Sequence, residues 1–183
     1  MLEKILAKRQ QELVEVRQTI NSYTPEQKEA IICNDRLIEV LNDWFDMTVP
    51  WPEPDPWKLQ GQCVQLIRWL LANYWGLPQW PGIKGAADFW AAYDDDQSEA
   101  GVAFRKHWEK IPNTPDFVPI EGDVFIQDHS KGGGFGHIGV VMGRENTVSR
   151  FTALEQNYKP LVVTQVQRNY NSVLGFFRRK GAV

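Results

Sequence analysis

The chain has few of the residues that staple a fold or carry it through a membrane. It holds two cysteines, Cys33 and Cys63, in 183 residues. One disulfide is arithmetically possible, but two thiols do not make a disulfide framework, and a chain of this length buries an adequate core without one. No apolar run is long enough to cross a bilayer, so stable membrane insertion is not expected. The first twenty residues, MLEKILAKRQQELVEVRQTI, carry charges every few positions and lack the apolar stretch of a secretory signal. Excess positive charge is missing as well. A net charge of −3 gives no global attraction to nucleic acid or to an anionic surface, and the short basic stretch FFRRK (176–180) reads as a solvated end. The three histidines and two cysteines match no zinc-ligand spacing. The acidic run DDDQSE (94–99) fails as a calcium loop, with Glu99 at its sixth position and Arg105 at its twelfth. It reads as a solvated turn. No metal or cofactor is expected, and no internal repeat is visible.

What is present falls into three parts. In residues 1–47, Leu2, Leu6, Arg9, Leu13, Val16 and Ile20 recur at steps of three and four, a helical seam with one charged interruption. Thr24, Pro25 and Gln27 then form a capping box that opens a second helix. This part is expected to be a helical hairpin that packs on itself, on the main domain or on a partner. Residues 48–57 form a linker stiffened by four prolines in VPWPEPDPW. Residues 58–183 form the main domain. There CVQLIRWLLANYW (63–75) is apolar almost all round, as in a buried helix, with Gly76 as its stop. Residues 86–110 predict one or two further helices. After Pro119 the pattern turns to strands: 123–127, 137–142, 147–157, 161–167 and 173–178. Helices first and antiparallel strands afterwards predict an α+β fold with the helices packed on the sheet.

Cys63 opens the buried helix, where the positive end of the helix dipole favours a thiolate and backbone amides can face an oxyanion. On position alone the thiol is either a nucleophile or a buried packing residue. Cys33, inside an amphipathic helical pattern, reads as packing. His137 lies in GGGFGHIGVVMG (132–143), with glycines on both sides at the start of a strand. That setting lets another element approach the imidazole closely, as a nucleophile-bearing helix must. The other two histidines, His107 in RKHWEK and His129 in QDHS, lack such support. A third group that orients the ring is available on the following strand. Glu155 and Asn157, two residues apart, are expected on one face with Ser149, Phe151 and Ala153. Of the eight tryptophans, most read as packing, with one of Trp75, Trp80 and Trp90 a candidate for a groove wall.

GQC opening a helix, GDVFI before a glycine-rich loop, GHIGVV on a strand and LEQN on the next resemble, in that order, the CHAP family. These are the cysteine, histidine-dependent amidohydrolase/peptidase domains of phage lysins and bacterial cell-wall hydrolases. The resemblance runs over residues 55–180. It implies a papain-like α+β fold that cleaves an amide bond of peptidoglycan through a thioester, either as an N-acetylmuramoyl-L-alanine amidase or as a stem or cross-bridge endopeptidase. It makes Cys63 the nucleophile, His137 the general base, Glu155 the orienter, Asn157 a further polar site residue, and Gln62 a contributor to the oxyanion site. The chain departs from the family members that bind calcium through acidic residues around the cysteine, since PEPDPWKLQ precedes Cys63 and Gln65 follows it. An NlpC/P60-type peptidase would place a second histidine where Glu155 stands. A non-enzymatic structural or wall-binding protein of a phage particle is the alternative of a different class. The expected setting is a lysin released from the host cytoplasm through a membrane pore, or a virion-borne hydrolase.

Overall fold

The computed structural model describes residues 62–77, 83, 85–143, 145–158 and 162–182. The expected helical hairpin (1–47), the proline-rich linker (48–57), Cys33 and Trp80 lie outside the described residues. Among those described, three α-helices pack on one six-stranded antiparallel sheet, in agreement with the α+β expectation.

Helix α1 (Cys63–Trp69) continues as a π-helical turn, Leu70–Tyr74. Val64 through Arg68, Leu70 and Leu71 are all buried, which is why this segment is apolar around nearly its whole circumference. Its path ends at Gly76, whose φ of 63° is one that a side chain opposes. Helix α2 (Ala86–Asp95) starts at Gly85, whose N–H donates to Asp88 Oδ2 at 3.0 Å. Helix α3 (Glu99–His107) is capped by Ser98, whose Oγ accepts from the Gly101 N–H at 3.2 Å. The acidic run is thus the junction of two helices, and its Asp94 meets Lys110 at 2.5 Å.

The strands are β1 (Trp108–Pro112), β2 (Val124–Gln127), β3 (His137–Met142), β4 (Phe151–Gln156), β5 (Val163–Arg168) and β6 (Val173–Arg179), in the spatial order β1-β6-β2-β3-β4-β5. Strand β1 corrects the reading of the end of 86–110, where a further helix was expected to continue. Only its first residue, Trp108, is buried, and a short edge strand with one inward side chain carries almost no periodic signal. Strand β4 is also shorter than expected. Residues 147–150 form a turn closed by the Thr147 N–H donating to the Arg150 carbonyl at 2.8 Å, so Ser149 does not extend the strand.

Alternation divides the sheet into two faces. Val124, Ile126, Ile138, Val140, Met142, Leu154 and Phe177 pack under the helices. Phe125, Val141, Phe151, Ala153, Val173 and Phe176 form a second, smaller core on the opposite face. In the first core Trp75 meets Trp108 edge-on at 4.7 Å, and Trp90 lies 5.6 Å from Phe177. Both tryptophans, partly buried, pack against this core.

Candidate active site

Helix α1 presents its N-terminus to the ends of β3 and β4. It is tied there by amide side chains that strand β4 places at its end. Gln156, fully buried on the helix-facing side, donates from Nε2 to the Gln62 carbonyl and to Gln65 Oε1, both at 3.2 Å. Asn157 donates from Nδ2 to Gln62 Oε1 at 2.8 Å. These bonds fix where the first turn of α1, and hence Cys63, sits. Gln156 was not singled out in the sequence. A glutamine in a strand looks like an exposed position until the helix that covers it is known.

Asn157 reaches this place by a route different from the one expected. Its φ of 68° lies in the left-handed region and its residue lies beyond the end of β4, so the two-residue alternation that would put it beside Glu155 stops before it. Glu155 does follow the alternation. It projects with Phe151 and Ala153 onto the face turned away from the helices, and so does His137, which follows the parity of Val141.

His137 begins β3 and is nearly buried, with the Phe125 ring 6.1 Å from its own. Its Nε2 hydrogen-bonds Glu155 Oε2, and the half-buried, free thiol of Cys63 hydrogen-bonds the same ring. With Nε2 engaged by the carboxylate, Nδ1 is the nitrogen left for the sulfur. Burial pulls the imidazole's pKa down, but the thiol and the carboxylate pull harder the other way and raise it to about 9. Glu155 shows the reverse balance. Burial pushes its carboxyl up, yet the hydrogen bonds and charges of His137 and Arg168 hold it below the ordinary value.

Arg168, on β5, is the residue that the sequence reading missed. Its Nε donates to Glu155 Oε1 at 2.9 Å and its Nη2 donates to Oε2. Nothing in QVQRNY distinguishes this arginine from a solvated one, because the pairing depends on two strands lying side by side.

The two glycines near His137 do separate jobs, and neither is the one expected. A Cβ on Gly136 would lie 2.7 Å from the Ala87 nitrogen and 2.5 Å from the Gln127 carbonyl oxygen, so the element that approaches there is α2 and not the cysteine-bearing helix. A Cβ on Gly139 would lie 2.8 Å from Glu155 Cβ and 2.7 Å from the Phe125 ring. The second glycine therefore makes room for the Glu155 carboxylate. His129 is exposed, with its Nδ1 2.9 Å from the Gly134 carbonyl oxygen, and His107 lies at the end of α3 beside Trp75 and Trp108.

The sequence family defined by the CHAP domain matches residues 54–157, more than half of the chain and the whole of the cysteine, histidine and glutamate arrangement. The chain belongs to the CHAP family. Its CHAP domain has the fold of the crystal structure of a wild-type endolysin, LysIME-EF1, with a TM-score of 0.58 and 20% identity over 80% of this chain and 63% of that one. The crystal structure of Ly7917 is similar at a TM-score of 0.52 and 13% identity, over 82% of this chain and 62% of that one. The CHAP chain thus spans less than two thirds of either relative's length. No curated protein matches it.

Among the described residues, no group of three or more His, Cys, Asp and Glu is placed to hold a metal ion, and no helix is long and apolar enough to cross a membrane.

Proposed function

We propose that the protein is a cysteine amidase or endopeptidase that cleaves an amide bond of bacterial peptidoglycan. The observation that carries this reading is the continuous line of contacts from the Cys63 thiol through the His137 ring to the buried Glu155 carboxylate. A pure binding module has no use for a thiol held against an imidazole whose tautomer is fixed by a carboxylate.

The chemistry follows from the placement of these groups. An imidazole that stays protonated to about pH 9 is a cation against the sulfur, and a cation there stabilises negative charge on it. The thiolate attacks the amide carbonyl carbon, and the carbonyl electron pair moves onto oxygen. The backbone N–H of Cys63 is one of those a helix leaves without an intrahelical acceptor, and it is available to that oxyanion. Gln62 supports the same place. With its Oε1 held by Asn157, its amide nitrogen is the end left to donate. As the tetrahedral species collapses, His137 gives its proton to the departing amine, leaving an acyl-thioester on Cys63. Water, deprotonated by the now neutral His137, then releases the acyl group as a carboxylic acid and restores the thiol. Glu155 does not exchange a proton. It holds Nε2–H so that Nδ1 does the work.

The family supports a wall substrate, and one of the similar structures is named as an endolysin. The test is mass spectrometry of fragments released from purified peptidoglycan by the wild-type protein and by Cys63→Ala. New termini that appear with the wild type and vanish in the variant are the expected result, and their identity gives the bond. No release from walls of several chemotypes, together with a Cys63 that alkylates no faster than a model thiol, would replace this reading with the structural one.

A further inference from the structure

The line of contacts does not stop at Glu155. We propose that Arg168 is a positioning residue of this site, which holds both oxygens of Glu155 so that the carboxylate can orient His137. The inference rests on the reading of Cys63 and His137 as nucleophile and base.

Glu155 is fully buried, and an ionised carboxylate in such a place needs several donors to stay charged. His137 supplies one N–H and Arg168 supplies two. The guanidinium fork matches the two carboxylate oxygens in one plane, which an ammonium cannot do. It therefore sets the rotation of the carboxylate as well as its charge. Without the fork, one proton shared between Glu155 and His137 can rest on the carboxylate. The ring would then be neutral with Nε2 as acceptor, and its remaining proton would sit on Nδ1 facing the sulfur. That is the wrong tautomer for a base.

The reach of Arg168 is informative. The register places Thr164 opposite Glu155 and Arg168 opposite Phe151, with Ala153 and Val166 between them. The side chain must run back along the strand past these two residues to meet the glutamate. At its far end the guanidinium lies 4.9 Å from the ring of the exposed Tyr158, an arrangement in which the aromatic face stabilises the cation. The groups facing the line from each packed element are Cys63 from α1, His137 from β3, Glu155 from β4, Arg168 from β5 and Tyr158 beyond β4. The uncharged Phe125 ring from β2 closes it.

The test combines a titration with a kinetic comparison. In the full chain, the side-chain carboxyl carbon of Glu155 is followed by NMR against pH in the wild type and in Arg168→Met, and peptidoglycan cleavage is measured in both. A carboxylate that loses a guanidinium partner has its midpoint raised by about one to three units. For a positioning role, kcat falls at least ~10-fold while KM changes little. A midpoint that stays in place, with turnover of the folded variant unchanged, overturns the proposal. If Arg168→Met fails to fold, Glu155→Gln is compared with Glu155→Gln/Arg168→Met, in which no carboxylate is left without its cation. An arginine that acts through Glu155 adds less than ~2-fold to the loss already present. A further ~10-fold loss in the double variant refutes that route. The titration requires no substrate, so a wild type that releases no wall fragment would end the functional reading and still leave the clamp tested.

Discussion

Two buried carboxylates in this protein are held by an arginine in nearly the same way, and only one of them belongs to the candidate site. Asp123, just before β2, accepts from Arg178 Nε at 2.9 Å and Nη2 at 2.7 Å. Glu155 accepts from Arg168 in the same two-pronged manner. Both are almost wholly buried. They differ in the third partner. Asp123 Oδ2 receives the Ile120 N–H at 2.9 Å and so staples a turn. Glu155 receives the His137 ring, and through it the Cys63 thiol. The charge balance follows this difference. Burial carries the Asp123 carboxyl upward against the pull of Arg178, whereas Glu155, drawn by two cationic partners, ends below its ordinary value. An arginine clamp on a buried carboxylate is therefore not in itself a sign of function. What the clamped group touches next decides.

Substitution at the two carboxylates should break the comparison most clearly. Glu155→Gln should lower kcat/KM by about 10²- to 10⁴-fold, the range seen when an orienting carboxylate or a general base is lost. Asp123→Asn should leave kcat within about twofold while destabilising the fold by on the order of 3 kcal/mol, because Arg178 keeps a charge that nothing offsets. Denaturant melts beside initial rates separate the two. Equal catalytic losses would show that the two clamps are not different in kind.

Two glycines offer a smaller contrast. Gly139→Ala pushes on Glu155 Cβ and the Phe125 ring, whereas Gly175→Ala pushes on the Ile111 carbonyl oxygen and the Trp90 ring, far along the strand order from β4. Each should destabilise by about 1–3 kcal/mol through overpacking. Only Gly139→Ala should also lower kcat, by roughly tenfold, since it alone displaces the orienter. Matched thermal melts and rates on the two variants test this, and a catalytic loss at Gly175 of the same size would undo the argument.

The last contrast is in the pH dependence of stability. His137 has its pKa raised from 6.5 to about 9 in the folded protein. The group binds a proton more tightly when folded, so its stabilisation is complete below about pH 6.5 and is lost as pH rises through about 9. Glu155 is lowered, so its contribution is present above its ordinary value of 4.5 and is lost as pH falls through the folded value. Asp123, raised, has the opposite sign to Glu155 in acid. Thermal midpoints measured from pH 6 to 10 should decline in the wild type and decline less in His137→Gln. Identical slopes would show that the ring is not held as a cation.

The local chemistry was legible where a residue's role depends on its own neighbours in the chain. Cys63 at a helix start, the apolar circumference of 63–75 and the strand alternation through Phe151, Ala153 and Glu155 all depend on short-range periodicity. The family motifs at Cys63, His137, Glu155 and Asn157 added their order. Other features were not legible for stated reasons. Strand β1 has one buried residue. Asn157 leaves its strand through a left-handed turn that no spacing rule foresees. The glycines beside His137 were correctly marked as sites of close approach, but the approaching partners, α2 at Gly136 and Glu155 at Gly139, come from elsewhere in the chain.

By itself, then, the sequence determined the candidate reactive residues, most of the helices and strands among the described residues, and the family to which the chain belongs. Only the tertiary structure decided which charges meet. Arg168 and Glu155 are 13 residues apart and His137 lies 18 before the glutamate. Their pairing depends on strands β3, β4 and β5 lying side by side in one register. The same holds for Gln156 against Gln62, 94 residues away. A buried charge is stabilised by the groups within a few ångströms of it, and distance along the chain carries no information about which groups those are.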